Sequence, residues 1–242
     1  MNSLAGRHCV VTGVTSGIGR ATALKLIAAG ATVTGLGRNE NRLAGLAAEL
    51  GPSFTPMVLD LALPAERERA AAELVRGRPV DVFVSNAAEA VYDSPLTVAP
   101  ATFRRLLEVN VCAPLELCQA LVPAMPATGH VVQLSSVAAR FVPNAKFGPY
   151  AVTKAAVTGL VDALRLELAP RGVRVTSIAP GLVDTPIYDD LPGFAAAREK
   201  LHEQVPQWLS AEDVAETIVW VLSRPRNVVV TELTVMPTGQ AR

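Results

Sequence analysis

The sequence reads TGVTSGIG from Thr12 to Gly19, directly after a short run of β-branched residues. Glycines leave the backbone of such a turn bare, so a pyrophosphate can approach it and rest on the N-terminus of the following helix. A glycine-rich turn alone is weak evidence, because glycine is the default residue of any tight turn. Its place between a strand and a helix indicates a nucleotide site. The predicted contacts are Gly13, Thr15, Ser16, Gly17, Ile18 and Gly19.

Short β-branched runs alternate with longer Ala/Leu-rich stretches along the rest of the chain. That alternation is typical of βαβ units around a parallel sheet. We predict an α/β fold: a single Rossmann-type, doubly wound domain over 1–242, with a seven-stranded, mostly parallel sheet and helices on both faces. The predicted strands are Cys9–Thr12, Ala31–Leu36, Phe54–Leu59, Val80–Ser85, His130–Ser135, Val173–Ala179 and Val228–Val235.

One segment, residues 184–208, does not follow this rhythm and is rich in proline, glycine and charge. It comes after the sixth strand, and ligands of doubly wound sheets bind beyond the carboxyl ends of the strands. We therefore predict that it forms a mobile substrate lid. Nearby side chains predict a mostly apolar pocket with an aromatic rim, which favours a ketone of moderate size over a small charged acid. They are Tyr92, Phe141, Phe147, Ile187, Tyr188, Leu191 and Phe194.

The composition favours a small-molecule substrate. Lys plus Arg and Asp plus Glu are both 22, so there is no bulk charge to attract nucleic acid or an anionic membrane. The three cysteines have no disulfide or metal spacing. No apolar run reaches the roughly 18 residues of a membrane span, and the N-terminus lacks a signal-peptide pattern. We expect a cytoplasmic protein without a metal and without nucleic-acid or membrane partners.

The residues at the end of the second strand indicate which nicotinamide cofactor is preferred. They read Gly37-Arg38-Asn39, where an NAD site usually has an acidic residue and an arginine accommodates a 2′-phosphate. Arg38 and Asn39 therefore favour NADP(H) over NAD(H), although Arg38 can also be a solvated loop cation. Asp60 and Leu61 directly follow the third strand. Asp60 is a candidate to bind the adenine amino group or, alternatively, a cap of the next helix.

Tyr150 and Lys154 lie four residues apart, on one face of a predicted helix. A neighbouring cation favours the phenolate and lowers the pKa of a tyrosine, which makes it a better acid–base group. Ser136 ends the fifth strand and can hydrogen-bond a substrate oxygen. Asn110, in the fourth helix, can hold a water that passes protons to Lys154. Each motif alone is common, but their conjunction is specific.

With these motifs the chain resembles the short-chain dehydrogenase/reductase family over essentially its whole length. The resemblance implies that Tyr150 is the general acid in reduction, that Lys154 lowers its pKa and binds the nicotinamide ribose, and that Ser136 orients the carbonyl. It also implies further cofactor contacts after the fourth and sixth strands. These are Asn86, Ala87, Ala88, Pro180, Gly181, Val183 and Thr185.

The chain departs from the family pattern at three points. Ala88 stands where the family has glycine, and we expect its methyl group to be tolerated. The interval from Ser136 to Tyr150 is one residue longer than the commonest family spacing, with the extra residue placed in the loop 140–148. The C-terminal segment 232–240 looks like that of hydroxy-acid and clavulanate-type dehydrogenases.

The most consistent function is an NADP(H)-dependent oxidoreductase that interconverts a ketone or aldehyde and an alcohol by hydride transfer. One alternative is an epimerase or dehydratase that uses the cofactor transiently. Another is a non-catalytic dinucleotide-binding regulator, although such relatives often lack the Tyr/Lys pair. Family members pair the helices around Tyr150 and Asn110 across a subunit interface, so we expect a homo-oligomer, a tetramer over a dimer.

Overall fold

The seven predicted strands form one sheet in the computed structural model, which describes residues 4–189 and 191–241. Asp190 of the predicted lid, and residues 1–3 and 242 of the predicted domain, lie outside the described residues. The sheet order is β3-β2-β1-β4-β5-β6-β7 and every pairing is parallel. The strands are β1 His8–Thr12, β2 Thr32–Gly37, β3 Phe54–Val58, β4 Val82–Ser85, β5 His130–Leu134, β6 Arg174–Pro180 and β7 Glu232–Val235.

The last strand was predicted too long at its start. It begins at Glu232 rather than Val228, because the carbonyls of Val228 and Val230 accept from side chains of β6, and the backbone of β6 is first met at Thr231, whose carbonyl accepts from the Ser177 N–H at 3.0 Å. The Val228 carbonyl accepts from Arg174 Nη1 at 3.2 Å, and the Val230 carbonyl accepts from Thr176 Oγ1 at 2.7 Å. The other six strands agree with the prediction to within two residues at each end.

Helices cover both faces of the sheet, as predicted, and each face has its own hydrophobic cluster. Leu26, Leu43 and Ile218 pack on one face, and Leu74, Leu117 and Val161 pack on the other. Strands buried on both faces read as continuous apolar runs, which explains the clear strand signal in the sequence. The helices are α1 Gly17–Ala28, α2 Glu40–Leu50, α3 Pro64–Arg76, α4 Pro100–Leu107, α5 Ala113–Leu121, α6 Gly148–Leu168, α7 Ala195–Gln204 and α8 Ala211–Leu222.

A π-helical turn, Glu108–Cys112, joins α4 to α5 and carries Asn110. Such turns occur frequently at functional sites. The continuous helical run Pro100–Ala124 is long and apolar enough, by length and composition alone, to cross a membrane. Half of its most apolar stretch of 18 residues is buried, and Leu117 and Leu121 pack in the core against the sheet. The run therefore fits the core helix of a globular domain.

The predicted lid contains a short 3-10 turn, Pro186–Tyr188, and helix α7. Its two ends are joined at the base by an isolated parallel bridge between Val183 and Leu209. There, the Asp184 N–H donates to the Leu209 carbonyl at 2.8 Å. The segment is therefore closed into a compact loop beside the carboxyl end of β6.

Candidate active site

A cavity of about 620 Å³ lies beyond the carboxyl ends of the strands. This is the size of a small-molecule site. All of the predicted cofactor and catalytic residues line it except Gly19 and Asn110. Those that line it are Gly13, Thr15, Ser16, Gly17, Ile18, Arg38, Asn39, Asp60, Leu61, Asn86, Ala87, Ala88, Ser136, Tyr150, Lys154, Pro180, Gly181, Val183 and Thr185.

The glycine-rich turn has no room for side chains at the positions of Gly13 and Gly19. Gly13 has a φ of +75°, and a Cβ added there would lie 2.9 Å from Asn86 Nδ2. Gly19 lies behind the turn, where an added Cβ would collide with the Gly13 carbonyl oxygen and come within 2.5 Å of Asn86 Nδ2. Asn86 Nδ2 donates to the Thr12 carbonyl at 2.8 Å and so ties the turn to the end of β1. Gly19 therefore shapes the turn without lining the cavity.

The start of α1 offers its N–H groups to the cavity. Ser16 is the N-cap residue, but its side chain makes no capping hydrogen bond, and the first turn holds no acidic residue. The first N–H groups of a helix lack intrahelical partners and carry partial positive charge, so they attract an anion. The bare turn and these donors together fit the pyrophosphate of a dinucleotide.

The Arg38 side chain is 59% exposed, and its Nη1 donates to Glu89 Oε1 at 2.8 Å. Arg38 therefore has a partner across the cavity although its side chain is largely exposed, and its contact with a 2′-phosphate stays a prediction. Asn39 caps α2 by accepting from the Arg42 N–H at 2.9 Å. A Cβ at Gly37 would lie 2.7 Å from Thr15 Cγ2, so this position admits no carboxylate without rearrangement.

Asp60 lines the cavity but does not cap the following helix, so that alternative is wrong. Its Oδ1 accepts from the Ala62 N–H at 2.9 Å, whereas α3 begins at Pro64 with Leu63 as the N-cap residue. Its other carboxylate oxygen lies 3.6 Å from Arg105. Asp60 thus forms a tight turn of its own at the edge of the cavity, and its contact with adenine stays a prediction.

Ser136, Tyr150 and Lys154 meet at the other end of the cavity. Ser136 follows β5, and its Oγ accepts from the Ala138 N–H at 3.1 Å. Tyr150 and Lys154 both lie on α6, as the four-residue spacing predicts. Lys154 is only 3% exposed, and its ammonium donates to the Leu134 carbonyl at 2.8 Å.

The pKa of Tyr150 differs from the expectation. Burial raises the pKa of this phenol above its usual value and Tyr188 acts in the same direction, while a hydrogen bond with Ser136 opposes them. Lys154 was expected to lower this pKa, but its Nζ is turned to Leu134 and lies 5.8 Å from the Tyr150 ring centre. Burial also lowers the pKa of Lys154 to about 8. The phenol is therefore protonated at neutral pH, the form that can donate a proton.

Asn110 does not line the cavity and is 1% exposed. Its Oδ1 accepts from the Glu89 N–H at 2.8 Å, and its Nδ2 donates to the Glu89 carbonyl at 2.8 Å and to Thr153 Oγ1 at 2.9 Å. The side chain therefore fixes the loop after β4 against α6. Its role in holding a water for Lys154 stays a prediction.

The aromatic rim was only partly predicted. Ile187 and Tyr188 line the cavity. Phe147 and Phe194 instead pack with Tyr92 in a buried cluster, with ring centres 5.0–5.4 Å apart, because edge-to-face packing of the rings removes them from solvent. Phe141 is more than half exposed and does not line the cavity. Tyr188 stacks on Phe194 and so connects the cluster to the cavity.

Sequence reasoning missed several residues of the cavity wall. The most informative is Glu89, whose carboxylate pairs with Arg38 and Arg105. The available signal was its place directly after the Asn86-Ala-Ala motif at the end of β4. Within the described residues, no group of three or more His, Cys, Asp or Glu side chains is placed to hold a metal ion. The other cavity residues that were missed are Leu36, Gly37, Leu59, Val109, Leu134, Ser135 and Pro186.

Comparison with known proteins decides the family. Residues 7–193 match the family model described as short chain dehydrogenase. The chain belongs to this family. This short-chain dehydrogenase is 36% identical to serine 3-dehydrogenase of Agrobacterium fabrum over 236 residues, covering 96% of this chain and 94% of that protein. It is 32% identical to a probable NADP-dependent dehydrogenase of Haemophilus influenzae, with the same coverage of the two chains.

Solved structures agree with these matches. The closed form of a serine dehydrogenase complexed with NADP+ superposes with a TM-score of 0.89 at 29% identity, covering 97% of this chain and 96% of that one. A blue fluorescent protein from a metagenomic library, in complex with NADPH, gives 0.89 at 28% identity over the whole of both chains. The predicted family, fold and oxidoreductase class are confirmed. The predicted cofactor is the one that these two solved relatives bind.

Proposed function

We propose that this short-chain dehydrogenase uses NADP(H) to interconvert a neutral ketone or aldehyde and its alcohol. The observation that carries the proposal is one cavity with the glycine-rich turn at one end and Ser136, Tyr150 and Lys154 at the other. Arg38 beside the cavity and the NADP-bound relatives support NADP(H) over NAD(H).

Tyr150 donates the proton in the direction of reduction. NADPH, when bound, supplies the hydride. Burial keeps the phenol protonated, and the Ser136 hydroxyl hydrogen-bonds the substrate oxygen so that it meets the phenol. Lys154 offers a buried ammonium to the nicotinamide ribose, while the segment from Pro180 to Thr185 binds the carboxamide end. In oxidation, the same groups act in reverse.

Charge near Tyr150 supports a neutral substrate. Among the described residues of the wall, the cations are Arg38 and Arg42 after β2 and Lys154, which already donates to a carbonyl. In the lid, Arg198 pairs with Asp184 at 3.2 Å and Asp189 at 2.8 Å. Proteins normally bind a substrate carboxylate with a cationic side chain that donates charge-assisted hydrogen bonds to it. Burying the carboxylate without such a partner is costly. A neutral ketone or aldehyde therefore fits this wall better than serine, which carries a carboxylate.

A matched substrate pair tests this proposal: a 3-oxo carboxylate and its methyl ester, each followed by NADPH oxidation and by alcohol formed. We expect the ester to have at least about a tenfold higher kcat/KM, because the wall offers no partner for the acid. Stoichiometric NADPH consumption excludes an epimerase or dehydratase. A preference for the acid would overturn the neutral substrate, and no turnover across a broad carbonyl panel would overturn the reductase.

Tyr150→Phe tests the role of the phenol. We expect kcat to fall about 10²- to 10⁴-fold, the usual contribution of a general acid, with nearly unchanged NADPH affinity. Tyr92→Phe is the matched control, since it removes a phenol that does not line the cavity. Retention of more than a tenth of kcat by Tyr150→Phe would contradict the assignment.

We also propose a cytoplasmic homo-oligomer, a tetramer over a dimer, with 184–208 as a mobile lid. Helix α6 supports association, because Val152 and Leu166 on it are 54% and 79% exposed. Light scattering should give a multiple of the 25.4 kDa monomer mass. A monomer at micromolar concentration would refute the oligomer. Hydrogen exchange in the lid should slow when substrate and cofactor are both present.

A further inference from the structure

Glu89 lies directly after the Asn86-Ala-Ala motif and lines the dinucleotide end of the cavity. Its carboxylate is 22% exposed and accepts three hydrogen bonds. One comes from Arg38 Nη1 at 2.8 Å, and the other two come from Arg105, from Nε at 2.9 Å and from Nη2 at 2.8 Å. The Glu89 carboxylate therefore accepts two hydrogen bonds from Arg105 and only one from Arg38.

The backbone of Glu89 is fixed as well as its side chain. Asn110, which is fully buried, bonds both the N–H and the carbonyl of Glu89 at 2.8 Å. Arg105, on α4, holds the carboxylate from the same helical run that carries Asn110. Glu89 thus has a defined position in the wall and is not a freely rotating surface acid.

The ion pair between Arg38 and Glu89 crosses the groove for the dinucleotide. Arg38 follows β2 and Glu89 follows β4, and β1 lies between these two strands. Neighbouring strands are about 4.8 Å apart, so the pair spans roughly 10 Å over the carboxyl end of β1. The glycine-rich turn begins at that end. A dinucleotide bound along the glycine-rich turn therefore lies next to this pair.

We propose that Glu89 is a specificity-determining residue, whose carboxylate competes with the 2′-phosphate of NADP(H) for Arg38. The inference rests on the proposed cofactor. When NADP(H) binds, its 2′-phosphate replaces Glu89 as the hydrogen-bond partner of Arg38. NAD(H) lacks this phosphate, so the ion pair between Arg38 and Glu89 stays intact when it binds. Glu89 therefore reduces the preference for NADP(H) below the value that Arg38 alone would give.

The contacts make this exchange feasible. The Arg38 side chain is largely exposed, so its pair with Glu89 contributes little and opens readily. Arg105 keeps both of its hydrogen bonds to Glu89 after Arg38 has left, so the phosphate does not face an uncompensated carboxylate. A phosphate also offers Arg38 a bidentate acceptor in place of the single hydrogen bond to Glu89.

Glu89→Gln tests the competition, because it removes the charge but keeps the backbone contacts and nearly the same volume. We expect the Kd for NADPH to fall about two- to fivefold, the effect of an exposed ion pair. The Kd for NADH should stay within about twofold, because NADH has no phosphate to compete. The effect on NADPH should disappear in an Arg38→Ile background, because the guanidinium for which Glu89 and the 2′-phosphate compete is then absent.

Glu73→Gln is the matched control. It also removes one carboxylate, but Glu73 lies on α3, pairs with Arg69 and does not line the cavity. It should leave both Kd values unchanged. Glu89→Asp provides a second variant in case the glutamine disturbs the loop, since the shorter side chain withdraws the carboxylate from Arg38. It should tighten NADPH binding in the same direction.

Three results would overturn the proposal. They are weaker NADPH binding by Glu89→Gln, an equal change for NADPH and NADH, or an effect that persists with Arg38→Ile. Each leaves the NADP(H)-dependent function intact if the wild-type chain binds NADPH. A wild-type chain that binds neither nucleotide would instead overturn the proposed function, and this inference with it.

Discussion

Gly19→Ala is the sharpest test of the dinucleotide turn, because the new methyl group has no room. Its Cβ would collide with the Gly13 carbonyl and approach Asn86 Nδ2 to 2.5 Å, so backbone or Asn86 must move. Overpacking of this kind costs about 1–3 kcal/mol. The hydrogen bond from Asn86 to Thr12 is worth about 1 kcal/mol more if it breaks. The free energy of unfolding should therefore fall by about 2–4 kcal/mol.

That loss should lower Tm by roughly 5–15 °C, since each kcal/mol shifts a domain of this size by about 2–4 °C. The Kd for NADPH should rise at least about tenfold, because the displaced turn no longer presents its N–H groups to a pyrophosphate. Both are measured by thermal unfolding and by fluorescence titration with NADPH.

Gly45→Ala is the matched control. Gly45 is exposed on α2, and an added Cβ would meet nothing within 4 Å. This variant should be neutral or more stable by about 0.5–1 kcal/mol, because alanine is the better helix former. If Gly19→Ala matched Gly45→Ala in both Tm and Kd, the close packing of the turn would be refuted as the basis of cofactor binding.

Three further measurements follow from the same geometry. The wild-type kcat/KM should favour NADPH over NADH by at least about tenfold, and Arg38→Ile should remove part of that preference. Equal use of both nucleotides by the wild-type chain would make Arg38 irrelevant to the cofactor. Lys154→Ala should lower kcat and weaken cofactor binding. The wild-type chain should lose activity as the pH rises through about 8, where the buried ammonium deprotonates, and the variant should not show this loss. A pH–rate profile that is the same in both proteins would argue against this role. Burial lowers the pKa of His130 to about 3. Between about pH 6.5 and pH 3 the imidazole is therefore protonated in the unfolded chain but neutral in the folded one. The free energy of unfolding should fall in this range by about 1.4 kcal/mol for each pH unit that the pH is lowered. His130→Leu should flatten that part of the stability curve, and identical curves would contradict the assignment.

The sheet and the outline of the site could be predicted because local sequence determines them. Buried β-branched runs located the first six strands, and parallel strands bring their carboxyl ends to one edge. Residues that follow different strands, such as Ser16, Asp60 and Ser136, therefore meet in one cavity. The start of β7 could not be predicted, because Val228 has a strand-like side chain but its carbonyl bonds to Arg174.

The remaining features depend on contacts between distant segments. Arg38 and Glu89 are 51 residues apart, and nothing local to either one indicates the pair. The direction of the Lys154 ammonium depends on the Leu134 carbonyl of β5, which a helical spacing rule does not include. The same applies to Phe147 and Phe194, which were predicted to line the substrate pocket but pack with Tyr92 instead.

In the proposed reaction, Tyr150 supplies the proton while NADPH transfers hydride to a carbonyl carbon in this cavity. Single-turnover reduction of the neutral ester with NADPH deuterated at the transferable position tests it most directly. One deuterium should appear on the carbinol carbon for each NADP+ formed, and Tyr150→Phe should slow its appearance about 10²- to 10⁴-fold. Oxidation of NADPH without deuterium in the alcohol, or equal rates in the two proteins, would contradict the claim.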